Sequence, residues 1–529
     1  MVGRARARGL LREHRWFAAL LGVGAVLRAV TMLGYRPAIW FPDSYTYVVT
    51  ALKPRPDLVR PAGYPMFLRL LEPLHSFGAV ALAQHLLGLA AGALVYLTAR
   101  RLRVPAPAAA LASAPVLLDA YQIELEHLLV SDTLFTLLVV AAVCLALAER
   151  VTRRTACGIG LLIAAATLTR TVGLPLVALF AGWLLYRARG RTAAAGVMLA
   201  AAVLPILAYG AWFHATYQRV GIVGANGVFL YSRTMAFADC AKMDPPADLA
   251  VLCDPRPPAR RPPSQEYIWS PDAPLVKLPG ITFSRENDEL AGRFASLALR
   301  SQPLDYLASF AKELSRSFTW DRPVYPDAEV YGYYEFPDRT PPPPGRYPAT
   351  VGAQFAERYE EGPIGTRIAE PYAGWMRSYQ DVARLPGAVL LVILLAPPAL
   401  AALRRLRLRR LRAHGARPGT GPERDAAAGP EQVPAAGPER GPDVTGRRAG
   451  RGSGTALWPL PWAVAVLLLV MPAAVAEFDH RYVLPAVPLA CLALVLAGSG
   501  AFYQTFPEMS EFEYAEPPDH HGDQQEGRA

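Results

Sequence analysis

Long apolar blocks, separated by short charged gaps, organise most of this chain. A helix needs about 20 mainly apolar residues to cross the hydrocarbon core of a bilayer. Ten blocks approach that length, and 104–119 and 156–168 are the shortest of them. The blocks cover residues 16–33, 78–98, 104–119, 128–148, 156–168, 171–186, 193–213, 386–403, 456–475 and 482–502. The pattern predicts an all-α polytopic membrane protein with about ten transmembrane helices. The first block could instead be a secretory signal peptide, although it is long for one and Arg28 interrupts it.

The charged gaps indicate how these helices are oriented. On the ten-helix count, five arginine-rich gaps all fall on one side of the membrane. They read "GRARARGLLREHR", "ARRLRVP", "ERVTRR", "YRARGR" and "RRLRLRRLRAHGAR". Because cytoplasmic loops of membrane proteins are enriched in Lys and Arg, we expect both termini in the cytoplasm of a multi-pass cell-membrane protein. The acidic, aromatic and proline-rich gaps then lie outside.

The composition agrees with a membrane protein and bears on whether nucleic acid is a partner. The chain has 529 residues, of which 52% are hydrophobic and 19% charged, with a net charge of +10. The basic cytoplasmic loops account for that excess, so it does not indicate a nucleic-acid partner.

Polar segments divide the chain into six predicted parts. The outer loop 34–77 contains two stretches with helical periodicity that are too short to cross, and 214–385 is rich in Tyr, Trp and Pro with an amphipathic stretch at 287–320. The parts are an N-terminal membrane module (1–213), an extracytoplasmic α/loop domain (214–385), a transmembrane helix (386–403), a disordered basic and Pro-Gly-rich cytoplasmic insert (404–455), a C-terminal transmembrane hairpin (456–503) and a disordered acidic tail (504–529).

Two of the five cysteines lie in the predicted outer domain. Cys240 and Cys253 occur in "CAKMDPPADLAVLC", and an oxidising outer compartment would permit a disulfide between them. The alternative is two free thiols. The other three cysteines fall in or beside apolar blocks, where packing is their expected role.

Three acidic groups fall on the predicted outer face. Asp43 follows the first apolar block in "WFPDSYTYVV", where it could cap a helix starting at Ser44 or Tyr45. Glu124, Glu126 and Asp132 occur in "DAYQIELEHLLVSDTLF", and Asp132 could likewise serve the N-terminus of the fourth span. The third group is "AEFDHRYVLP", in which the acids are Glu477 and Asp479. His480, Arg481 and Tyr482 follow them directly.

Three arginines are expected on the same face, against the usual charge bias. Arg60 lies in "VRPAGYP", Arg170 in "TLTRTVGLP" and Arg481 in "DHRY". Guanidinium groups suit phosphate oxygens through paired hydrogen bonds, and a nearby carboxylate could accept a proton from a hydroxyl. The set therefore favours a lipid-phosphate substrate, with ion pairing among these residues as the plainer alternative.

Several short motifs now support a resemblance. In order, they are "FPDSYTY", "RPAGYPMFLRLL", "LLVSDTLFTLLV", "LTRTVGLPLVALF" and "HRYVLPAVPLACLAL". In these motifs the chain resembles the GT-C class of polyprenyl-phosphate-dependent glycosyltransferases, which includes protein O-mannosyltransferases and aminoarabinose transferases acting on lipid A. The resemblance covers the N-terminal membrane half and the last two predicted spans.

The resemblance implies a fold, a reaction and roles for residues. Such enzymes transfer a sugar, usually with inversion, from a polyprenyl-phosphate donor in the membrane to an extracytoplasmic protein, lipid or glycan acceptor. It gives Asp43 the role of general base or metal-site acid, and Asp132 matches the acid that opens the fourth span. The substrate-binding candidates are Arg60, Tyr64, Glu124, Glu126, Arg170, His480, Arg481 and Tyr482.

One departure and two other functions stay open. Many relatives have adjacent acids in the first loop, whereas Ser44 follows Asp43, so dependence on a divalent cation such as Mg²⁺ or Mn²⁺ is undecided. A transporter or flippase for lipid-linked or polar solutes would also use charged groups in the membrane. A non-catalytic membrane scaffold is the third hypothesis.

Overall fold

The computed structural model describes residues 2–187, 192–340, 347–415, 455–500 and 502–503. Twenty-two α-helices dominate these residues, and the four strands have two residues each. The helices before residue 220 are α1 (Val2–Gly34), α2 (Pro42–Leu52), α3 (Gly63–Leu71), α4 (Phe77–Arg101), α5 (Ala106–Leu118), α6 (Ala120–His127), α7 (Asp132–Ala146), α8 (Arg153–Thr169), α9 (Leu174–Arg187) and α10 (Thr192–Tyr217). They confirm the all-α prediction for this part of the chain.

The remaining helices fall into a middle and a C-terminal set. The middle set is α11 (Asn226–Thr234), α12 (Cys240–Met243), α13 (Ala247–Ala250), α14 (Glu266–Trp269), α15 (Arg285–Ser301), α16 (Pro303–Arg316), α17 (Ala328–Gly332), α18 (Tyr347–Glu360) and α19 (Tyr372–Gln380). The C-terminal set is α20 (Gly387–Gly415), α21 (Pro459–Val475) and α22 (Val487–Ser499). The strands are β1 (Tyr35–Arg36), β2 (Arg367–Ile368), β3 (Thr455–Ala456) and β4 (Phe502–Tyr503).

Every predicted apolar block contains a helix, but only half of the blocks contain a helical stretch long enough to span a membrane. Among the described residues, five helical stretches are long and apolar enough to cross a bilayer. They are Glu13–Gly34, Phe77–Arg101, Thr192–Tyr217, Gly387–Arg407 and His480–Ser499. Four shorter apolar helices cover Ala106–Leu118, Asp132–Ala146, Thr171–Arg187 and Pro459–Val475. The architecture is that of an α-helical membrane protein, whereas the count of ten crossings is not shown by helix length.

The segment 214–385 does not form a separate body. Residues 2–415 and 456–500 belong to one compact unit. Helix α18 packs on α2, α19 on α1, and α16 and α11 on α21. β1 also pairs antiparallel with β2, with Tyr35 opposite Ile368. The predicted domain therefore closes over the ends of the membrane helices instead of standing apart from them.

Within this segment, the amphipathic stretch at 287–320 is two helices, α15 and α16, that meet at Gln302 and Pro303. Apolar side chains of α11 and α15, among them Tyr231 and Phe294, form a core of their own. Cys240 and Cys253 form a disulfide beside that core, with a Cα–Cα distance of 6.1 Å.

One boundary differs from the sequence prediction. The helix expected at 386–403 continues as α20 to Gly415, because arginine-rich sequence such as "LRRLRLRRLR" is compatible with helix outside the apolar region. The predicted insert therefore begins later than residue 404. The rest of the predicted insert and nearly all of the predicted tail lie outside the described residues.

Candidate functional site

Asp43 lies in the first turn of α2, where the first loop meets the membrane helices. Phe41 precedes the helix as its N-cap residue, and Pro42 occupies the first helical position. The Ser44 hydroxyl accepts a hydrogen bond from the Phe41 amide (3.0 Å) and donates one to the Leu129 carbonyl (2.8 Å). This fixes the start of α2 beside the start of α7. Asp43 is therefore not the capping residue, and its carboxylate points elsewhere.

Two arginines bind the Asp43 carboxylate from different directions. Arg60 Nη2 donates to Asp43 Oδ1 at 2.5 Å, and Arg481 Nη1 lies 3.6 Å from Asp43 Oδ2. The side chains of Asp43, Arg60 and Arg481 are 14%, 18% and 12% exposed, so the group is sheltered but reachable. Two residues predicted from separate motifs thus meet Asp43 directly.

Two features fix the loop that carries Arg60: hydrogen bonds to the Asp57 side chain, and the close packing of Gly63 on the end of α8. Asp57 Oδ1 accepts hydrogen bonds from the amides of Val59 (2.8 Å) and Arg60 (2.9 Å). Three residues later, Gly63 starts α3 against the end of α8. A Cβ at Gly63 would lie 2.5 Å from the Leu168 carbonyl oxygen, so only glycine allows this approach. The contact packs the start of α3, which follows Arg60 by three residues, against the residues that precede Arg170.

Arg170 follows α8 and forms an ion pair with Asp132, the first residue of α7. Asp132 is fully buried, and its second oxygen has no hydrogen-bond partner in the described part of the chain. The Arg170 guanidinium also lies over the Tyr482 ring at 5.3 Å. Asp132 thus orients an arginine at the edge of the site and does not itself face Asp43.

Arg481 is anchored by an acid and two aromatic rings. Its Nε lies 3.2 Å from Asp479 Oδ2, which also accepts a hydrogen bond from the Tyr334 hydroxyl (2.7 Å). Its guanidinium lies 4.5 Å from the Phe41 ring centroid and 5.5 Å from that of Tyr482. We call Asp43, Arg60, Asp132, Arg170, Asp479 and Arg481 the Asp43 cluster.

Charge in the Asp43 cluster is balanced, with three carboxylates and three guanidiniums. Burial raises the pKa of the Asp43 carboxyl, but the charges of Arg60 and Arg481 outweigh burial and hold the pKa below its ordinary value of 3.8. Asp43 is therefore ionised at neutral pH. Within the described residues, Arg60 and Arg170 each use one side-chain N–H on a carboxylate, which leaves further N–H donors for a ligand.

These residues do not fit a divalent cation. Both Asp43 oxygens face arginines, and a cation would need several hard oxygen ligands that are not already opposed by positive charge. In the part of the chain that the structure describes, no three His, Cys, Asp or Glu residues come together as a metal site. The metal role considered for Asp43 therefore finds no support in its surroundings.

Four other predicted site residues lie in three places. Tyr64 is fully buried, and its hydroxyl donates to Gln84 Oε1 at 2.7 Å, so it packs the core. Glu124 and His480 line a pocket beside Arg481. Tyr482 lies under Arg170 and Arg481.

Glu126 belongs to a buried network inside the helix bundle. Its carboxylate accepts two hydrogen bonds from Arg28 (both 2.7 Å) and lies 3.0 Å from His85 Nδ1. His85 Nε2 lies 3.0 Å from His127 Nδ1. The network ties α6 to α1 and α4, so Glu126 supports the fold and does not reach the Asp43 cluster.

Sequence reasoning missed the supporting residues of the site. Tyr334, which orients Asp479, lies in the middle segment, where no motif marked it. Arg322, which lines the pocket beside Arg481, was also missed. The signal that could have found Arg322 is its position in "TWDRPVY", a charged residue among aromatic ones.

Compared with known protein families, curated proteins and solved structures, the chain matches none of them.

Proposed function

We propose that this protein is a membrane glycosyltransferase that transfers a sugar from a polyprenyl-phosphate donor to an extracytoplasmic acceptor. The observation that carries the proposal is the contact of Asp43 with Arg60 and Arg481, close to Arg170, which Asp132 holds. Because Arg60 and Arg170 each use only one side-chain N–H on a carboxylate, the guanidinium donors that remain favour an anionic ligand.

The proposed donor lies with its phosphate among Arg60, Arg170 and Arg481. All three have N–H groups that can bind phosphate oxygens, and planar guanidiniums bind such oxygens in pairs. The apolar helices would supply the lipid surface from which a polyprenyl chain enters. This places the donor phosphate beside the Asp43 carboxylate.

The proposed reaction is a direct displacement at the anomeric carbon. The acceptor hydroxyl oxygen forms a bond to that carbon while its proton passes to Asp43, which is ionised and can accept it. The bond between the carbon and the phosphate oxygen breaks, and its electrons leave with the polyprenyl phosphate. The three arginines stabilise the charge that develops on this leaving group, and the anomeric configuration inverts.

The membrane arrangement that goes with this function has about ten crossings. The four shorter apolar helices and α8 would cross as part of the bundle, and the arginine-rich gaps would face the cytoplasm. The Asp43 cluster then lies outside, where a lipid-linked donor and an extracytoplasmic acceptor meet.

The test is sugar transfer by purified protein in lipid nanodiscs. Labelled polyprenyl-phosphate sugars and envelope extracts as acceptors are supplied to the wild type, to Asp43→Asn and to Asp338→Asn, an exposed acid in the middle segment. Asp43→Asn should lower transfer by about 100-fold or more, because general-base catalysis contributes that much. Asp338→Asn should leave it unchanged. Transfer at the wild-type rate in Asp43→Asn would refute the role of Asp43, and no turnover with any donor would refute the function.

A further inference from the structure

The pocket that Glu124 and His480 line has Arg481 in its wall, whereas Asp43 is not among its lining residues. The pocket has a volume of about 80 Å³. Five parts of the chain meet there: helix α6, the segment after α16, the segment after α17, the turn before α20 and the turns before α22. Glu124, Tyr121, Trp320, Arg322, Tyr334 and Arg481 are among its lining residues. Arg481 and Tyr334 therefore border both this pocket and the Asp43 cluster.

Two polar groups in this pocket are buried without partners in the described part of the chain. Glu124 is 1% exposed, and neither of its carboxyl oxygens has a hydrogen-bond partner. Nη2 of Arg322 is likewise buried and unpartnered. Buried polar groups are nearly always hydrogen-bonded, and leaving one unpaired is costly. Both groups therefore indicate that the pocket binds a ligand with hydrogen-bonding groups.

Arg322 is held so that its free N–H groups keep their direction. Its guanidinium stacks on Tyr121 at 3.9 Å and on Tyr331 at 4.7 Å. Nη1 donates to Glu335 Oε1 at 2.6 Å. With one edge fixed in this way, Nη2 is a preorganised donor toward the pocket.

Charge in the pocket argues for a neutral ligand. All four guanidiniums that line it already have an acidic partner: Arg316 has Glu313, Arg322 has Glu335, Arg384 has Asp321 and Arg481 has Asp479. Burial raises the pKa of Glu124 well above its ordinary value of 4.5, although the charge of Arg322 opposes that rise. A protonated Glu124 both donates and accepts a hydrogen bond.

We propose that this pocket binds one hydroxyl-bearing edge of the acceptor, a saccharide or similar polyol whose remainder lies outside the volume of about 80 Å³. One hydroxyl can accept from Arg322 Nη2 and a neighbouring one can exchange hydrogen bonds with Glu124, while the Tyr121, Tyr334 and Trp320 rings offer apolar contact to the C–H faces of a sugar ring. The pocket as a saccharide site stands on its own geometry. Its assignment to the acceptor rests on the proposed function, which places the donor at the Asp43 cluster.

The test is direct binding to full-length protein in nanodiscs of zwitterionic lipid, without donor. Neutral methyl glycosides and myo-inositol are compared with glycerol phosphate and a serine-containing peptide by saturation-transfer NMR. We expect the glycosides or inositol to bind, and Glu124→Leu to weaken that binding at least tenfold.

Because the Glu124→Leu variant removes a buried unpaired carboxyl, it should fold at least as well as the wild type. Glu124→Gln, which retains a donor and an acceptor, should restore most of the binding, and Asp43→Asn should leave it intact.

Each outcome bears on one claim. Absence of glycoside and inositol binding in the wild type would mean that water alone fills the pocket and would overturn the inference. Preferred binding of the phosphate or the peptide would overturn the assigned ligand class. Sugar transfer without saccharide binding would leave the proposed function standing and overturn this inference, whereas saccharide binding without transfer would retain the pocket and refute the transferase.

Discussion

At the scale of the residue, Asp43 combines two properties that usually oppose each other. It is sheltered from water, which disfavours its charged form, and it faces two guanidiniums, which favour that form. Because the arginines prevail, the pKa of Asp43 lies below its ordinary value and the carboxylate is ready to accept a proton at neutral pH. The same arginines are the proposed phosphate ligands, so the charge that holds the donor also sets the protonation of the base.

The pH dependence of transfer tests this coupling. A carboxylate with a lowered pKa stays ionised as the pH falls, so kcat/KM of the wild type should remain level from neutrality to about pH 5 and decline only below that. In Arg60→Gln, the largest charge that lowers the pKa is removed and burial raises it. The acidic limb should then move to higher pH.

The control for this profile is Arg339→Gln, which changes an arginine that is 91% exposed and distant in sequence from the cluster. Its limb should coincide with that of the wild type. If the pH profile of kcat/KM for Arg60→Gln declined at the same acidic pH as that of the wild type, Arg60 would not set the pKa of Asp43. This would hold even if KM for the donor rose.

At the scale of the element, close helix contacts bring the site residues together. Helix α3 approaches the end of α8 through Gly63, whose missing side chain leaves room for the Leu168 carbonyl. Helix α6 is tied into the bundle by the buried Arg28–Glu126 pair. The first contact packs the start of α3 against the residues before Arg170, and the second fixes the helix that carries Glu124.

Gly63→Ala should separate α3 from α8 and lower transfer. The added Cβ would lie 2.5 Å from the Leu168 carbonyl oxygen and 2.7 Å from the Thr169 amide nitrogen, and backbone atoms cannot move aside as a flexible side chain can. Gly182→Ala in α9 is the matched control, because a Cβ there meets nothing within 4 Å. We expect at least tenfold loss of kcat/KM for the first and none for the second, measured in nanodiscs. Equal activity of the two variants would show that the approach at Gly63 is not needed.

Glu126→Leu should destabilise the bundle through the charge it leaves behind. Removing one partner of a buried ion pair costs about 3–5 kcal/mol, because the other charge stays buried and uncompensated. Adding Arg28→Met to this variant should recover most of that loss. The free energy of unfolding in denaturant, followed for both variants, checks this. A double variant no more stable than Glu126→Leu would contradict the account.

At the scale of the whole molecule, the middle segment and the membrane helices form one compact unit. The middle segment supplies Tyr334 and Arg322, while the helix ends supply Asp43, Arg170 and Arg481. The pocket draws its lining from both parts, and the middle segment supports the Asp43 cluster through the hydrogen bond from Tyr334 to Asp479. The membrane helices alone would therefore leave the pocket incomplete and Asp479 without this support.

Cysteine labelling can determine on which side of the membrane the Asp43 cluster lies. In a background with the three free cysteines replaced by alanine, Val220→Cys and Arg150→Cys each add one exposed thiol. Val220 follows α10 near the first loop and is 94% exposed, whereas Arg150 lies between α7 and α8 at the other end of the bundle. A membrane-impermeant maleimide should label Val220→Cys in intact cells and Arg150→Cys only after permeabilisation. The reverse pattern would place the site in the cytoplasm and refute the proposed donor geometry.

Part of the site could be predicted from the sequence, and part could not. Arg60, Arg170 and Arg481 stood out because arginine on the predicted outer face runs against the charge bias of membrane proteins. Tyr64 was chosen from the motif that contains Arg60, and Glu126 from the acidic stretch that contains Asp132. Yet Tyr64 packs the core and Glu126 binds Arg28. A short motif does not specify which way a side chain on a helix points, and that direction decided both outcomes.

By itself, the sequence determined that the chain is helical and membrane-embedded, because the length and hydrophobicity of the apolar blocks are local properties. It also identified the polar residues that are costly at membrane depth and therefore have a reason to be there. Only the tertiary structure decided that Asp43 meets two arginines directly, that Asp132 orients a third, and that Glu124 and Arg322 share a pocket. These relations depend on packing between segments that are tens to hundreds of residues apart, which no local pattern records.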